Sequence, residues 1–185
     1  MSNIYLVGFM GTGKTTVGRE LARRLKRCFA DLDDLIELKE GRVIRDIFAQ
    51  SGEPYFRRIE KEVLKEVARE NNFVVACGGG AVLDKENIAA MKNSGAMICL
   101  SASADVIFKR TYGHGHRPIL NVANPQERII LMLKMRSPFY TQADKVIDTS
   151  KLSIKETAAR ILKIIELASI KNAIPRPKTK KRKPK

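Results

Sequence analysis

No stretch of this sequence approaches the roughly 18 consecutive apolar residues that a membrane-spanning helix requires, so the chain is expected to make no membrane contact. The apolar run at the amino terminus breaks at Gly8 and has no basic region before it, unlike a secretory signal, which places the expected location in the cytoplasm. Cysteine is scarce. Cys28, Cys77 and Cys99 are odd in number and lack CxxC pairing, which argues against both a disulfide framework and a zinc site. All three are expected to be small buried apolar side chains, and Cys77 and Cys99 each follow an apolar run. No Asn-Lys-x-Asp sequence occurs, so the guanine-reading element of a switch GTPase is missing.

Acidic residues are the minority charge: 35 Lys and Arg face 20 Asp and Glu, for a net charge of +15. Residues 171–185 hold eight of the basic residues and no acid, leaving +7 for residues 1–170. From Pro175 onward there are three prolines and no apolar pattern, too little to offset the entropy of ordering, so 171–185 is expected to be a basic disordered tail. Its ordinary role is a solvated solubility segment; the alternative is weak, salt-sensitive contact with nucleic acid or another polyanion. The remainder, with 44% apolar residues in the whole 185-residue chain, suits one domain over 1–170. No leftover amphipathic segment asks for a partner, so a monomer is expected.

The run Ile4, Tyr5, Leu6, Val7 reads as a strand buried on both faces of a parallel sheet. Val17, Leu21 and Leu25 then recur at helical spacing. A second strand is expected at Cys28 to Ala30, short helices at Leu35 to Lys39 and Val43 to Gln50, and a break at Ser51 and Gly52. Pro54 fits the first turn of the next helix, which carries Phe56, Ile59, Val63, Leu64 and Val67. Strands at 73–76, 96–100 and 145–147 alternate with helices at 86–92, 104–112, 126–135 and from Ile154. Residues 113–124 break the periodicity and read as a mobile surface loop; His114 and His116 flank Gly115 in it, at a spacing that could hold a metal, with solvated loop residues as the favoured reading. Strands alternating with helices imply an α/β fold with helices on both faces of a parallel sheet.

The sequence from Gly8 to Thr15 satisfies the phosphate-loop pattern GxxxxGK[ST] and stands between a predicted strand and a predicted helix. Glycines there let successive backbone N–H groups converge on phosphate oxygens, and the helix amino terminus adds partial positive charge. ATP is therefore expected along Gly11, Thr12, Gly13, Lys14, Thr15 and Thr16, with Lys14 bridging the β- and γ-phosphates and Thr15 offering its hydroxyl to Mg²⁺.

Other residues narrow the chemistry. Asp31 and Asp33 lie two apart at a strand end; continued extended geometry would aim both at the phosphate loop, whereas the alternative is helix capping by Asp33 or Asp34. Arg57 and Glu60 are one helical turn apart, either as a solvated surface pair or as a guanidinium held so that its fork grips a carboxylate. Gly78, Gly79 and Gly80 directly follow a predicted strand, where open α/β sheets bind ligands.

This ordered set resembles the shikimate kinase family, a branch of the nucleoside-monophosphate-kinase-like P-loop proteins. The resemblance rests on GFMGTGKT, Asp31-Leu-Asp33, Phe56-Arg57-Arg58-Ile-Glu60, the glycine triplet, Arg117-Pro118 in a glycine-rich loop, and Arg136 before Tyr140, across roughly residues 3 to 168. It implies a three-layer α/β/α kinase with a five-stranded parallel sheet in the order 2-3-1-4-5, a substrate-binding region at about 32–60 and a mobile lid at about 112–124. It also implies transfer of the γ-phosphoryl group of ATP to the 3-hydroxyl of shikimate. By the same resemblance Asp33 holds the acceptor hydroxyl, Arg57 and Arg136 bind the shikimate carboxylate, and Gly79 and Gly80 line the acceptor. Arg117 reaches the phosphates from the lid, Arg110 lies near the adenine, and Asp31 joins the Mg²⁺ shell through water.

Overall fold

Asn3–Val7 (β1) is buried at every position, and the chain that follows wraps helices around both faces of the sheet it centres. The computed structural model describes residues 2–112, 122 and 124–173, the last six as backbone only. Arg117 and Pro118, both histidines and the chain from residue 174 lie outside the described residues, as does most of the expected lid.

After β1 come Lys14–Leu25 (α1), Cys28–Asp31 (β2), Leu32–Glu40 (α2), Ile44–Arg69 (α3), Phe73–Ala76 (β3), Lys85–Ser94 (α4), Gly95–Ser101 (β4), Ala104–Thr111 (α5), Pro125–Tyr140 (α6), Lys145–Asp148 (β5) and Ile154–Ala173 (α7). The five strands order as β2-β3-β1-β4-β5, and every neighbouring pair is parallel. Successive strand residues point to opposite faces, so one strand feeds two cores. Ile4 and Leu6 pack with Val17, Leu21, Ala158 and Ile161 beneath α1 and α7. Tyr5 and Val7 pack with Val63, Leu64, Met91, Ile107 and Met132 of the helices on the other face.

The expected elements recur with four differences. The helix α2 starts at Leu32 and not Leu35, because the Asp31 side chain accepts from the Asp33 amide and caps it. Extended geometry therefore does not continue to Asp33, and the cap is neither Asp33 nor Asp34. The two expected helices around Pro54 run nearly end to end as α3, broken only at Gly52, whose φ of 79° lies in the left-handed region. The helix α6 continues past Met135, through Pro138, to Tyr140. Cys28 is exposed, because it opens β2 at the sheet edge; Cys77 and Cys99 are buried as expected.

Candidate active site

The carboxyl ends of β1, β2 and β3 meet at one place, as a parallel sheet requires for ligand binding at its topological switch. Between β1 and α1 the chain forms the phosphate loop, with Gly11 at φ 76° and Gly13 at φ 93°, conformations that side-chain-bearing residues rarely adopt. Gly13 caps α1 without a side-chain bond, and the first turn carries no acid, so its N–H groups suit an anion. Thr12 is buried and its Oγ1 donates to the Phe9 carbonyl at 2.7 Å, while Thr16 Oγ1 donates back to the Gly13 carbonyl at 3.0 Å. Lys14 folds over the loop, donating from Nζ to the Phe9 carbonyl at 3.0 Å.

Asp31 delivers its carboxylate from the end of β2. Oδ2 accepts from Thr15 Oγ1 at 2.7 Å, and Oδ1 accepts from the Asp33 amide at 3.2 Å. The first turn of α2 then turns Asp33 toward β3: its Oδ1 lies 2.8 Å from the point a Cβ on Gly78 would occupy, and Glu60 Oε1 lies 3.1 Å from the same point. A side chain at 78 would displace both carboxylates.

The next two glycines receive the arginines. The Arg57 guanidinium lies against Gly80, with both Nη atoms 2.5 Å from where a Cβ would stand. Its Nη1 donates to Glu60 Oε2 at 2.7 Å, and its Nε and Nη2 donate to Glu53 Oε1 at 3.1 and 3.0 Å. Glu60 is 1% exposed, so the pair is not the solvated surface contact that spacing alone allowed. Burial raises the Glu60 pKa, Arg57 opposes that rise, and Asp33 and Asp84 add to it. Burial also works against the charge on Arg57, but the charge of Glu60 and the bonds to Glu60 and Glu53 outweigh it and raise its pKa. Among the described residues Glu60 Oε1 has no hydrogen-bond partner, and it faces Gly78.

From α6, Arg136 Nη1 and Tyr140 Oη donate to the Gly79 carbonyl at 3.3 and 2.8 Å, and the Arg136 guanidinium sits 5.7 Å from the Phe9 ring centroid. These two residues are one turn apart, so one helix face supplies both donors. Three consecutive glycines thus bring Asp33, Glu60, Arg57 and Arg136 to the edge of the phosphate loop.

This arrangement matches a known family. The family model described as shikimate kinase matches residues 10–166. A shikimate kinase from Thermodesulfovibrio yellowstonii is 46% identical over 169 residues, covering 91% of this chain and 98% of that protein. The chain belongs to the shikimate kinase family. A solved shikimate kinase from Acinetobacter baumannii in complex with shikimate superimposes with a TM-score of 0.87 at 39% identity, covering 95% of this chain and 96% of that one. The Bacteroides thetaiotaomicron shikimate kinase gives 0.82 at 35% identity, covering 89% and 98%.

Within this shikimate kinase fold Arg110 stands apart from the glycine triplet. Its Nη1 donates to the Gly11 carbonyl at 3.3 Å and to Thr149 Oγ1 at 3.2 Å, and its Nη2 donates to the Thr149 carbonyl at 2.9 Å. Three side chains of the site escape sequence reasoning: Glu53, Tyr140 as a donor to Gly79, and Thr149. The i, i+4 spacing of Glu53 with Arg57 and of Arg136 with Tyr140 carries a signal for the first two. Nothing local marks Thr149.

Oxygen donors are available for a hard cation. Thr15 Oγ1 and Asp31 Oδ2 are adjacent beside the loop, and among the described residues no group of three or more His, Cys, Asp or Glu is placed to hold a metal ion. That donor set suits Mg²⁺, which keeps several waters and binds through one or two protein oxygens together with substrate phosphates. Among the described residues no helix is long and apolar enough to cross a membrane.

Proposed function

We propose that this chain transfers the γ-phosphoryl group of ATP to the 3-hydroxyl of shikimate, giving shikimate 3-phosphate and ADP. The observation that carries the residue assignments is the convergence of Asp33, Arg57 and Arg136 on Gly78, Gly79 and Gly80 at the edge of the phosphate loop. Two guanidiniums there suit a carboxylated acceptor, and a carboxylate between them and the loop suits its hydroxyl.

ATP lies along Gly11 to Thr16, with backbone N–H groups and Lys14 on its phosphates. Thr15 directly and Asp31 through water would hold Mg²⁺, which would supply the charge that screens the β- and γ-phosphates. Arg57, fixed by Glu60 and Glu53, holds the shikimate carboxylate with Arg136. Gly79 and Gly80 allow the ring to approach the backbone.

Asp33 accepts the acceptor's hydroxyl hydrogen and orients the oxygen toward the γ-phosphorus. The new O–P bond forms as the bond to the β–γ bridging oxygen breaks; the hydroxyl proton passes to Asp33 and ADP leaves. Catalysis of this kind is mostly positioning and charge stabilisation. Arg117, outside the described residues, is assigned to the transferring phosphoryl group, and Arg110 to the nucleotide side. The same reading makes the protein a cytoplasmic monomer whose basic tail is dispensable for turnover.

The test is a coupled assay of Mg²⁺-dependent ADP release with shikimate, gluconate and AMP in parallel. Stimulation by shikimate alone is expected. Equal stimulation by all three sinks the assignment, and stimulation by gluconate alone replaces it with another sugar-acid kinase.

A further inference from the structure

Thr149, the residue after β5, is 2% exposed and takes no part in the roles assigned above. Its amide donates to the Ser101 carbonyl at 2.8 Å, so β4 holds its backbone in place independently of its side chain. The side chain is surrounded by polar partners. Oγ1 lies 3.2 Å from Arg110 Nη1, 3.2 Å from the Thr12 carbonyl and 3.0 Å from the Ser101 carbonyl. A hydroxyl has one proton and two lone pairs, so Oγ1 accepts from Arg110 and shares its proton between the two carbonyls.

The contact with Thr12 matters because of peptide geometry. In a trans peptide the carbonyl of one residue and the N–H of the next point in opposite directions in one plane. Holding the Thr12 carbonyl outward therefore aims the Gly13 N–H inward, toward the place assigned to the phosphates. Arg110, gripping both the hydroxyl and the carbonyl of Thr149, reaches the neighbouring Gly11 carbonyl from the same side. One buried hydroxyl thus ties the phosphate loop, the end of β5 and Arg110 together.

We infer that Thr149 is a positioning residue for the nucleotide: through its hydroxyl it sets the Thr12–Gly13 peptide plane and the Arg110 guanidinium that ATP and ADP meet. The inference rests on the reading of the loop as the nucleotide site, not on the identity of the acceptor.

The experiment measures ADP binding to the full chain by titration calorimetry, shikimate binding without nucleotide, and Tm, for wild type, Thr149→Val and Thr149→Ser. Loss of one hydrogen-bonding hydroxyl should weaken ADP binding about three- to tenfold in Thr149→Val. Shikimate binding should stay within about twofold, and Thr149→Ser should restore ADP affinity to within about twofold of wild type. Unchanged ADP affinity in Thr149→Val overturns the inference. So does a serine variant as weak as the valine one, or an equal loss for both ligands with a lowered Tm, each of which marks Thr149 as a packing residue. If Thr149→Val does not fold, Thr149→Ala replaces it: alanine must lose ADP affinity where serine keeps it, and equal affinities overturn the idea. A wild-type chain that binds ADP but ignores shikimate defeats the functional proposal and leaves this test standing.

Discussion

Arg57 and Glu60 pair at 2.7 Å across one turn of α3, with the acid 1% exposed and the arginine lying on Gly80. Glu60 takes one edge of the guanidinium and Glu53 another, so the fork cannot rotate freely. A planar cation fixed on two sides before the acceptor arrives loses little rotamer entropy on binding it.

That fixation makes Arg57→Lys a sharp test. Lysine keeps the charge but cannot form the planar two-bond grip, so KM for shikimate should rise about ten- to a hundredfold, as for loss of a charge-assisted bond. KM for ATP should change far less. An unchanged KM for shikimate in steady-state kinetics means the carboxylate is held elsewhere.

Glu60 predicts a pH dependence. Burial raises its pKa, so it takes up a proton at a higher pH than an ordinary Glu and then releases Arg57. KM for shikimate should therefore rise as pH falls through the window just above the usual carboxylate range, and that acid limb should vanish in Glu60→Gln. For stability the sign is opposite. A carboxyl whose folded pKa lies above its unfolded value favours the fold below the unfolded pKa, and that contribution is lost as pH rises through the folded pKa. Glu60→Gln should thus lower Tm in acidic buffer relative to Tm in neutral buffer, compared with wild type. A wild-type KM profile flat through this range would remove Glu60 from substrate control.

Asp33→Asn keeps the side-chain shape beside Gly78 and removes the charge that orients and deprotonates the acceptor hydroxyl. The expected loss in kcat is about 10²- to 10⁴-fold, the usual range for general-base contributions. ADP affinity by titration should be nearly unchanged. Because Asp31 and not Asp33 caps α2, a drop in kcat cannot be ascribed to a lost cap. Near-full turnover would end the proposed role.

Tyr140→Phe removes one of the two donors to the Gly79 carbonyl. Burial pushes the tyrosine pKa up to about 12, with Arg136 opposing, so the phenol keeps its proton across the working pH range. A net hydrogen bond of the ordinary size predicts a rise of about three- to tenfold in KM for shikimate with kcat within about twofold. A kcat loss larger than the KM change would instead tie Tyr140 to the transferring group.

The local sequence was enough to establish the phosphate loop, because a strand ending at Gly8 and a helix opening at Lys14 must leave the intervening N–H groups together. It also established the alternation of strands and helices, hence a parallel sheet, and placed Gly52 and Pro54 at a helix junction. Spacing marked Asp31 with Asp33, Arg57 with Glu60 and the glycine triplet as candidates but left their roles open; the strand order, Arg136 and the 3-hydroxyl acceptor were implied only by the family resemblance.

Only the tertiary structure decided what the ambiguous pairs do. Spacing permitted Arg57 and Glu60 to be a solvated pair; burial of α3 against β3 and the turn after it put Glu60 in the interior. The start of α2 depended on Asp31, whose side chain could cap that helix only once β2 ended beside it. Cys28 became exposed because β2 lies at the edge, a fact of strand order that four residues cannot encode. Thr149 lies 137 residues from Thr12 and 39 from Arg110, and their contacts exist because parallel strands bring distant carboxyl ends to one rim of the sheet. Sequence patterns report contacts within a helical turn or a strand pleat; contacts across a sheet are set by which strands lie side by side.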